Sequence, residues 1–218
     1  MEPTDFSVSS VYSGLKDKAI LMIHLRARLK FPATGLLLLF LGLFAGCRGS
    51  APNRYLSRLP ELSIPLPATI AERQYLGLTT KFGHFSLADI KAKVVVLEMI
   101  LVQCPHCQHE APQMNRFYEL VKEHGLLPQI KFLSIAMGNT PLEVGLYRER
   151  YQVPFPIIPN PGRYILTVDA TPTLYLLRPQ PNGESQILFA AVGRLPKPAA
   201  LLQKAIAWEK EIGKPNAR

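Results

Sequence analysis

The stretch VVVLEMILVQCPHCQHEAP, residues 94–112, decides the fold and the chemistry of this chain. Its first seven residues are apolar or β-branched apart from one acidic residue, Glu98, which predicts a strand buried on both faces. From Pro105 the pattern changes to helical spacing, with one apolar face formed by Met114, Phe117, Leu120 and Val121. Cys104 and Cys107 therefore lie where a buried strand passes into a helix.

The spacing of these two cysteines limits what they can do. They are two of only three cysteines in 218 residues, and the loop they close is too short to stabilise a fold. Covalent haem attachment needs Cys-x-x-Cys-His, and Gln108 follows Cys107, so that reading fails. A zinc site takes four ligands; the neighbouring His106 and His109 are not placed to complete one. Thiol chemistry is the favoured reading, and a metal-binding role remains the alternative.

The rest of the chain predicts a frame for this junction. Residues 130–136 (IKFLSIA), 172–177 (PTLYLL) and 187–193 (ILFAAVG) have the composition of strands, and Asn182-Gly183 is a hairpin signal between the last two. Thr140-Pro141-Leu142-Glu143 is a helix start, because threonine caps free N–H groups and the glutamate reaches back. A closing helix over 198–212 places Leu201, Ala205, Trp208 and Ile212 on one side.

This order, β-α-β-α-β-β-α, resembles the thioredoxin family over residues 80–212. The resemblance rests on Cys104-Pro105-His106-Cys107 at the junction, Pro112 in the helix, the acidic residue Glu98, and Thr171-Pro172-Thr173 at the cis-proline segment. Residues 151–158 and the helix before them look more like the exported TlpA-like reductases and redoxins. The resemblance implies an α/β, thioredoxin-like fold with a central mixed β-sheet flanked by helices. Gln103 departs from the family, which usually has an aromatic residue there.

The resemblance also implies roles for individual residues. Cys104, at a helix N-terminus that favours an anion, is the expected nucleophile. An ordinary thiol with a pKa of about 8.5 is only about 3% ionised at pH 7, so a lowered pKa would make Cys104 more reactive. Cys107 is expected to resolve the mixed disulfide by pairing with Cys104, and Glu98 to accept its proton.

The remaining predicted site residues surround this pair. His106 is expected to stabilise the thiolate, and Pro105 and His106 together to tune the reduction potential. Cis-Pro172 and the Thr171 backbone are expected to bind the substrate peptide. No metal and no cofactor is predicted.

Residues 1–46 have the layout of an export signal. Within MIHLRARLKFPATGLLLLFLGLFAGC (22–47), a basic head precedes about ten apolar residues, too few for a comfortable membrane span of about 20 residues. Residues 44–47 resemble the bacterial lipobox, which predicts cleavage before Cys47, its lipidation and a domain outside the cytoplasm. The acidic residues before Met22 fit a signal poorly, which favours a start at Met22. Residues 47–80 are expected to be a membrane-proximal tether, and 81–218 the thioredoxin-like domain.

The predicted function is therefore a thiol-disulfide oxidoreductase of the bacterial cell envelope or periplasm, anchored to a membrane by its lipid. Its expected partners are thiols and disulfides of exported proteins and a membrane redox partner. The net charge is +9, but no basic stripe alternates with aromatic residues, so nucleic-acid binding is not predicted. The TlpA-like body favours reduction, whereas the Pro-His dipeptide resembles periplasmic oxidases, so the direction stays open. The alternative is a non-catalytic module that binds a metal or client, for example in copper delivery.

Overall fold

The fold is that of a computed structural model, which describes residues 57–162 and 165–212. The predicted signal peptide (1–46), the start at Met22 and the lipidated Cys47 lie outside the described residues. No helix within the described part has both the length and the apolar character needed to cross a membrane.

The described residues form eight strands and four α-helices. The strands are β1 (Arg58–Leu59), β2 (Ile64–Pro65), β3 (His84–Phe85), β4 (Val94–Ile100), β5 (Ile130–Met137), β6 (Ile157–Asn160), β7 (Thr173–Pro179) and β8 (Ser185–Val192). The helices are α1 (Ile70–Leu76), α2 (Pro105–Glu123), α3 (Pro141–Tyr151) and α4 (Pro198–Ile212), and a 3-10 turn covers Leu87–Asp89. This α/β arrangement agrees with the predicted fold class.

Within the described residues the main sheet has the order β1-β8-β7-β4-β5-β6, and β2 and β3 form a separate ribbon. The sheet is mixed, since β4 is parallel to β5 and antiparallel to β7. Glu98 lies opposite Ser134 in β5 and Leu174 in β7. Met99 lies opposite Thr173, so the chain just before β7 meets the end of β4, where Cys104 follows. The register thereby brings residues 171–172 to the dithiol.

Both faces of β4 are buried, which explains its continuous apolar run. Val94, Val96 and Ile100 face a core layer built by α2, α3 and α4. Val95, Leu97 and Met99 face a second layer built by the N-terminal strands, α1 and the 3-10 turn. Alternation along a strand places Glu98 on the same face as Val96 and Ile100, toward α2.

The N-terminal boundary of the domain differs from the prediction. Residues 58–76 supply two strands and a helix, and four of their side chains are buried in the core: Leu59, Leu62, Ile64 and Leu76. β1 pairs with β8, and β2 pairs with β3. The predicted tether over 47–80 is therefore wrong for residues 57–80, because apolar burial and strand pairing make them part of the domain.

The sequence pattern also misses strand β6. Prolines at 154, 156 and 159 suggest a loop, yet Ile157–Asn160 pairs in parallel with β5 at the edge of the sheet. Proline lacks a backbone donor and is tolerated in an edge strand, where one side makes no ladder bonds. The other predicted elements are present, including the Thr140–Glu143 capping box at the start of α3.

Candidate dithiol site

The end of β4 and the start of α2 place the two cysteines. Cys104 has extended backbone angles as the N-cap of α2, and Pro105 occupies the first turn, where a missing N–H costs no helical hydrogen bond. The N–H of Cys104 donates to the Leu101 carbonyl at 3.0 Å. Cys104 is partly exposed, Cys107 is buried, and both are free thiols.

The segment before β7 forms the opposite wall of the site. The Thr171–Pro172 peptide bond is cis. The Cys104 thiol donates to the Thr171 carbonyl oxygen, with Sγ and O 3.5 Å apart. Cys104 therefore lies directly beside the cis-proline segment that the family resemblance predicts to bind the substrate peptide.

Cys104 has a lowered pKa although partial burial acts in the opposite direction. Burial raises its pKa, but hydrogen bonds to the sulfur from the Cys107 N–H, the Thr171 side chain, the Cys107 thiol and the His106 N–H together lower the pKa by more than burial raises it. Two of these donors, the N–H groups of His106 and Cys107, are free N–H groups of the first turn of α2. The site can thus hold Cys104 as a thiolate, the form that attacks disulfides.

Cys107 has the opposite ionisation behaviour. It is fully buried, and burial raises its pKa to about 12, with the charge of a Cys104 thiolate acting in the same direction. The Tyr147 hydroxyl of α3 donates to the Cys107 carbonyl at 3.1 Å and so ties α3 to this turn of α2. Cys107 is held as a protonated thiol beneath Cys104.

Glu98 is a buried carboxyl on the same side of the sheet. Ser134 of β5 donates its hydroxyl to Glu98 Oε2 at 2.7 Å. Burial raises the pKa of Glu98 to about 7; the Ser134 hydrogen bond lowers it, and the nearby Glu110 carboxylate raises it again. A carboxyl that titrates near neutral pH can both accept and return a proton under ordinary conditions.

Glu110 is a second buried carboxyl near Glu98, and no motif in the sequence indicates it. It is only 5% exposed, and its Oε1 lies 3.4 Å from Nδ1 of the exposed His109. The available signal is its position three residues after Cys107, since residues i and i+3 share a helix face. Glu110 lines a groove together with residues of the chain after β8, a neighbourhood that the local pattern of α2 does not indicate.

A polar network supports the residue that precedes Cys104. Asn139, 1% exposed, accepts a hydrogen bond from the Val102 N–H at 3.0 Å and donates to Gln103 Oε1 at 2.7 Å. Gln103 also donates to Glu143, the capping residue of α3. The glutamine that replaces the family's aromatic residue is therefore fixed by two side chains at the start of α3.

Pro105 and His106 occupy the exposed surface of the site. Both side chains are exposed, and His106 assists Cys104 through its backbone N–H. Among the described residues, no cluster of three or more His, Cys, Asp or Glu side chains is placed to hold a metal ion.

Comparison with known proteins identifies relatives of this domain. Residues 61–167 match the AhpC/TSA family. The thiol-disulfide oxidoreductase ResA of Geobacillus kaustophilus (strain HTA426) is 32% identical over 111 residues, which cover 49% of this chain and 60% of that relative. ResA of Bacillus subtilis (strain 168) is 28% identical over 104 residues, which cover 46% and 56%. The matches thus span a little more than half the length of these curated relatives.

A solved structure shares the fold. The crystal structure of a DsbE-type thiol:disulfide interchange protein from Chlorobium tepidum aligns with a TM-score of 0.52 and 20% identity, covering 70% of this chain and 96% of that chain. This likeness concerns the fold alone and agrees with a thioredoxin-like arrangement of the described residues.

Proposed function

We propose that this chain, a homologue of the thiol-disulfide oxidoreductases with a thioredoxin-like fold, exchanges disulfides with client proteins through Cys104 and Cys107. The observation that carries the proposal is the opposite ionisation of two thiols one helical turn apart. The pKa of the exposed thiol is lowered, whereas burial raises that of the thiol beneath it to about 12. A nucleophile at the surface and a protected second thiol are what sequential disulfide exchange requires.

The proposed reaction transfers two electrons from the dithiol to a client disulfide. The Cys104 thiolate attacks one client sulfur, the client S–S bond breaks, and the released client thiolate takes up a proton. Cys107 then gives its proton to Glu98 and attacks the Cys104 sulfur. The mixed disulfide breaks, the second client thiol leaves with a proton, and a Cys104–Cys107 disulfide remains.

Glu98 is proposed as the proton acceptor because it is buried on the α2 side of the sheet and has a pKa of about 7. A thiol with a pKa near 12 ionises too rarely at neutral pH to attack quickly unless its proton is removed. Thr171 and Pro172 are proposed to hold the client chain, since the Thr171 carbonyl already contacts the Cys104 thiol. Pro105 and His106 are proposed to tune the reduction potential.

The proposed setting is the bacterial cell envelope. Cys47 follows an apolar segment in a lipobox-like context, so we propose that lipidation there anchors the domain to a membrane, outside the cytoplasm. The clients would be exported proteins, and a membrane redox partner would return the dithiol to its reduced state. Replacing Cys47 with serine should release the protein from the membrane fraction; unchanged membrane association would overturn the lipid anchor.

The central test uses Cys107→Ser in the full chain. Without a resolving thiol, Cys104 should remain joined to clients, and mixed disulfides should accumulate that are visible by non-reducing electrophoresis and released by dithiothreitol. The control is the Cys104→Ser/Cys107→Ser variant, which should trap nothing. Equal trapping by the two variants, or none by Cys107→Ser together with copurified metal, would replace the oxidoreductase by the metal- or client-binding module.

A further inference from the structure

A groove lies between α2 and the turn that leads from β8 into α4. Its volume is about 550 Å³. Leu120 of α2 and the buried Leu195 of the turn give it an apolar lining, and Arg116, Arg194 and Lys197 place three cations along its walls. A concave surface with an apolar lining and a charged rim is suited to binding a peptide segment.

The walls of the groove are connected to the dithiol site at two points. The N–H of Gly193, at the start of the turn, donates to the Pro172 carbonyl at 2.8 Å. Pro172 follows Thr171, whose carbonyl contacts the Cys104 thiol. On the other wall, His109 and Glu110 lie two and three residues beyond Cys107. A chain lying along Thr171 would therefore have its neighbouring residues at the mouth of the groove.

The charges of the groove are mostly unpaired. Within the described residues, Arg194 and Lys197 are exposed and have no carboxylate within salt-bridge distance. Arg116 pairs with Glu123 at 2.8 Å. The acidic residue in the lining is Glu110, which is almost wholly buried. The exposed part of the groove is consequently positive.

We infer that this groove binds an acidic segment of the protein that exchanges its disulfide with Cys104. The inference rests on the proposed function and names its substrate class: cysteines flanked by aspartate or glutamate. The occupant is a peptide because Arg194 of the groove follows Gly193, whose N–H donates to the Pro172 carbonyl beside Thr171, and because the lining is partly apolar. Arg194 and Lys197 would act as specificity-determining residues through exposed ion pairs, each with a modest and salt-sensitive effect.

The test compares two synthetic disulfide peptides that differ only in three flanking residues, glutamate in one and glutamine in the other. The rate with each peptide is divided by the rate with 2-hydroxyethyl disulfide, which is uncharged and too small to fill the groove. The unaltered protein should react about three- to tenfold faster with the acidic peptide at low ionic strength. At about 0.5 M NaCl, where charges are screened beyond about 4 Å, the preference should largely vanish.

Two variants of equal charge then separate the groove from the overall net charge. Arg194→Gln/Lys197→Gln should lower the acidic-to-neutral rate ratio to about one. The matched control, Lys81→Gln/Lys210→Gln, removes two exposed cations elsewhere: Lys81 lies just before β3, and Lys210 lies in the last turn of α4. The control should keep the full preference and an unchanged rate with 2-hydroxyethyl disulfide.

The outcomes that overturn the inference are distinct. Equal rates with both peptides, or a preference that both double variants lose alike, would remove the groove as a binding site for acidic segments. Loss of binding to phosphatidylglycerol vesicles in Arg194→Gln/Lys197→Gln, with the peptide preference intact, would assign these cations to a lipid surface instead. No reaction with 2-hydroxyethyl disulfide would overturn the proposed function first, and this inference with it.

Discussion

The surface layer of the site, with Cys104, and the buried layer beneath it, with Cys107 and Glu98, shift the pKa values of their ionisable groups in opposite directions. At the surface, Cys104 is partly exposed, and hydrogen bonds from the first turn of α2 and from Thr171 outweigh the effect of burial on its pKa. In the buried layer, burial is the largest effect and raises the pKa of both Cys107 in α2 and Glu98 in β4. The pKa values of the two thiols differ because of their depth and their access to backbone donors, and not because of a neighbouring lysine or arginine.

The largest expected effect is the difference in thiol reactivity between the two layers. Raising the Cys107 pKa from 9.0 to about 12 reduces its thiolate fraction about a thousandfold. Iodoacetamide should therefore modify Cys107 in Cys104→Ser at least about a hundredfold more slowly than Cys104 in Cys107→Ser, because the higher nucleophilicity of a thiolate with a raised pKa offsets part of this difference. The Cys104 rate should be half-maximal at a pH below 9, whereas the Cys107 rate should still rise at about pH 10.

The same two variants in guanidinium provide the control, because unfolding removes both environments and the rates should become similar. Folded-state rates within tenfold of each other would break the comparison between surface and buried layer.

Glu98 provides the next test, in the chemistry of the buried layer. Glu98→Gln should slow the attack of Cys107 on the mixed disulfide about a hundredfold, because the proposed proton acceptor is lost. The loss should be greatest above pH 7, where Glu98 is ionised. Rapid-mixing kinetics can separate this step from the first attack by Cys104, which should change little. The matched control is Glu149→Gln, at an exposed position of α3. If both variants slow the attack of Cys107 equally, Glu98 is not the proton acceptor.

The stability of Glu98→Gln tests the buried layer without any reaction. Burial raises the Glu98 pKa from 4.5 to about 7 in the folded protein, so the fold favours the protonated form. Below about pH 4.5 Glu98 is protonated in both states, and its contribution to the free energy of unfolding is fully present. As the pH rises from 4.5 through 7 this contribution is lost, so that above pH 7 the free energy of unfolding is about 3 kcal/mol lower.

Glutamine is neutral, and its carbonyl oxygen can keep the hydrogen bond from Ser134. Denaturant unfolding should therefore show Glu98→Gln to be stabilised by up to about 3 kcal/mol at pH 8 and little changed at pH 5. A stability change that is the same at both values would contradict a raised pKa.

Two capping boxes supply the smallest and best-matched comparison. Thr69 caps α1 with Glu72, and Thr140 caps α3 with Glu143. Replacing either threonine with alanine should lower the free energy of unfolding by about 1 kcal/mol. Only Thr140→Ala should also alter Cys104 alkylation, by about two- to threefold, because Glu143 accepts a hydrogen bond from Gln103, the residue before Cys104. An equal effect of both variants on alkylation would disconnect the surface layer from α3.

The sequence is sufficient for most of this fold because its strongest signals are local. The run VVVLEMI, the period of α2 and the Thr140 cap each fix an element without knowledge of its partners. β1, β2 and β6 escape prediction because they are two to four residues long, lie among prolines, and exist only through pairing with β8, β3 and β5. Short strands of this kind are defined by tertiary contacts rather than by pattern.

The site divides in the same way. Cys104 and Cys107 can be selected from their spacing, and Thr171 and Pro172 from the family resemblance; the structure places the Thr171 carbonyl against the Cys104 thiol. Glu110 and Asn139 could not be selected, because a glutamate in a helix and an asparagine before one are most often solvent-exposed. Glu110 lines a groove with the turn after β8, and Asn139 accepts a hydrogen bond from Val102 after β4; the chain brings these segments together only when it folds.

The difference between the pKa values of the two thiols also fixes how many protons are released when the dithiol gives up its two electrons. At a pH between the lowered pKa of Cys104 and the value of about 12 for Cys107, the reduced site carries one thiolate and one thiol. Closing the disulfide then releases one proton rather than two. The midpoint potential should fall by about 30 mV per pH unit in this interval, and by about 59 mV per unit below the Cys104 pKa. A client whose own thiols are both protonated would thus become a relatively better oxidant for this protein as its surroundings acidify, until the Cys104 pKa is reached.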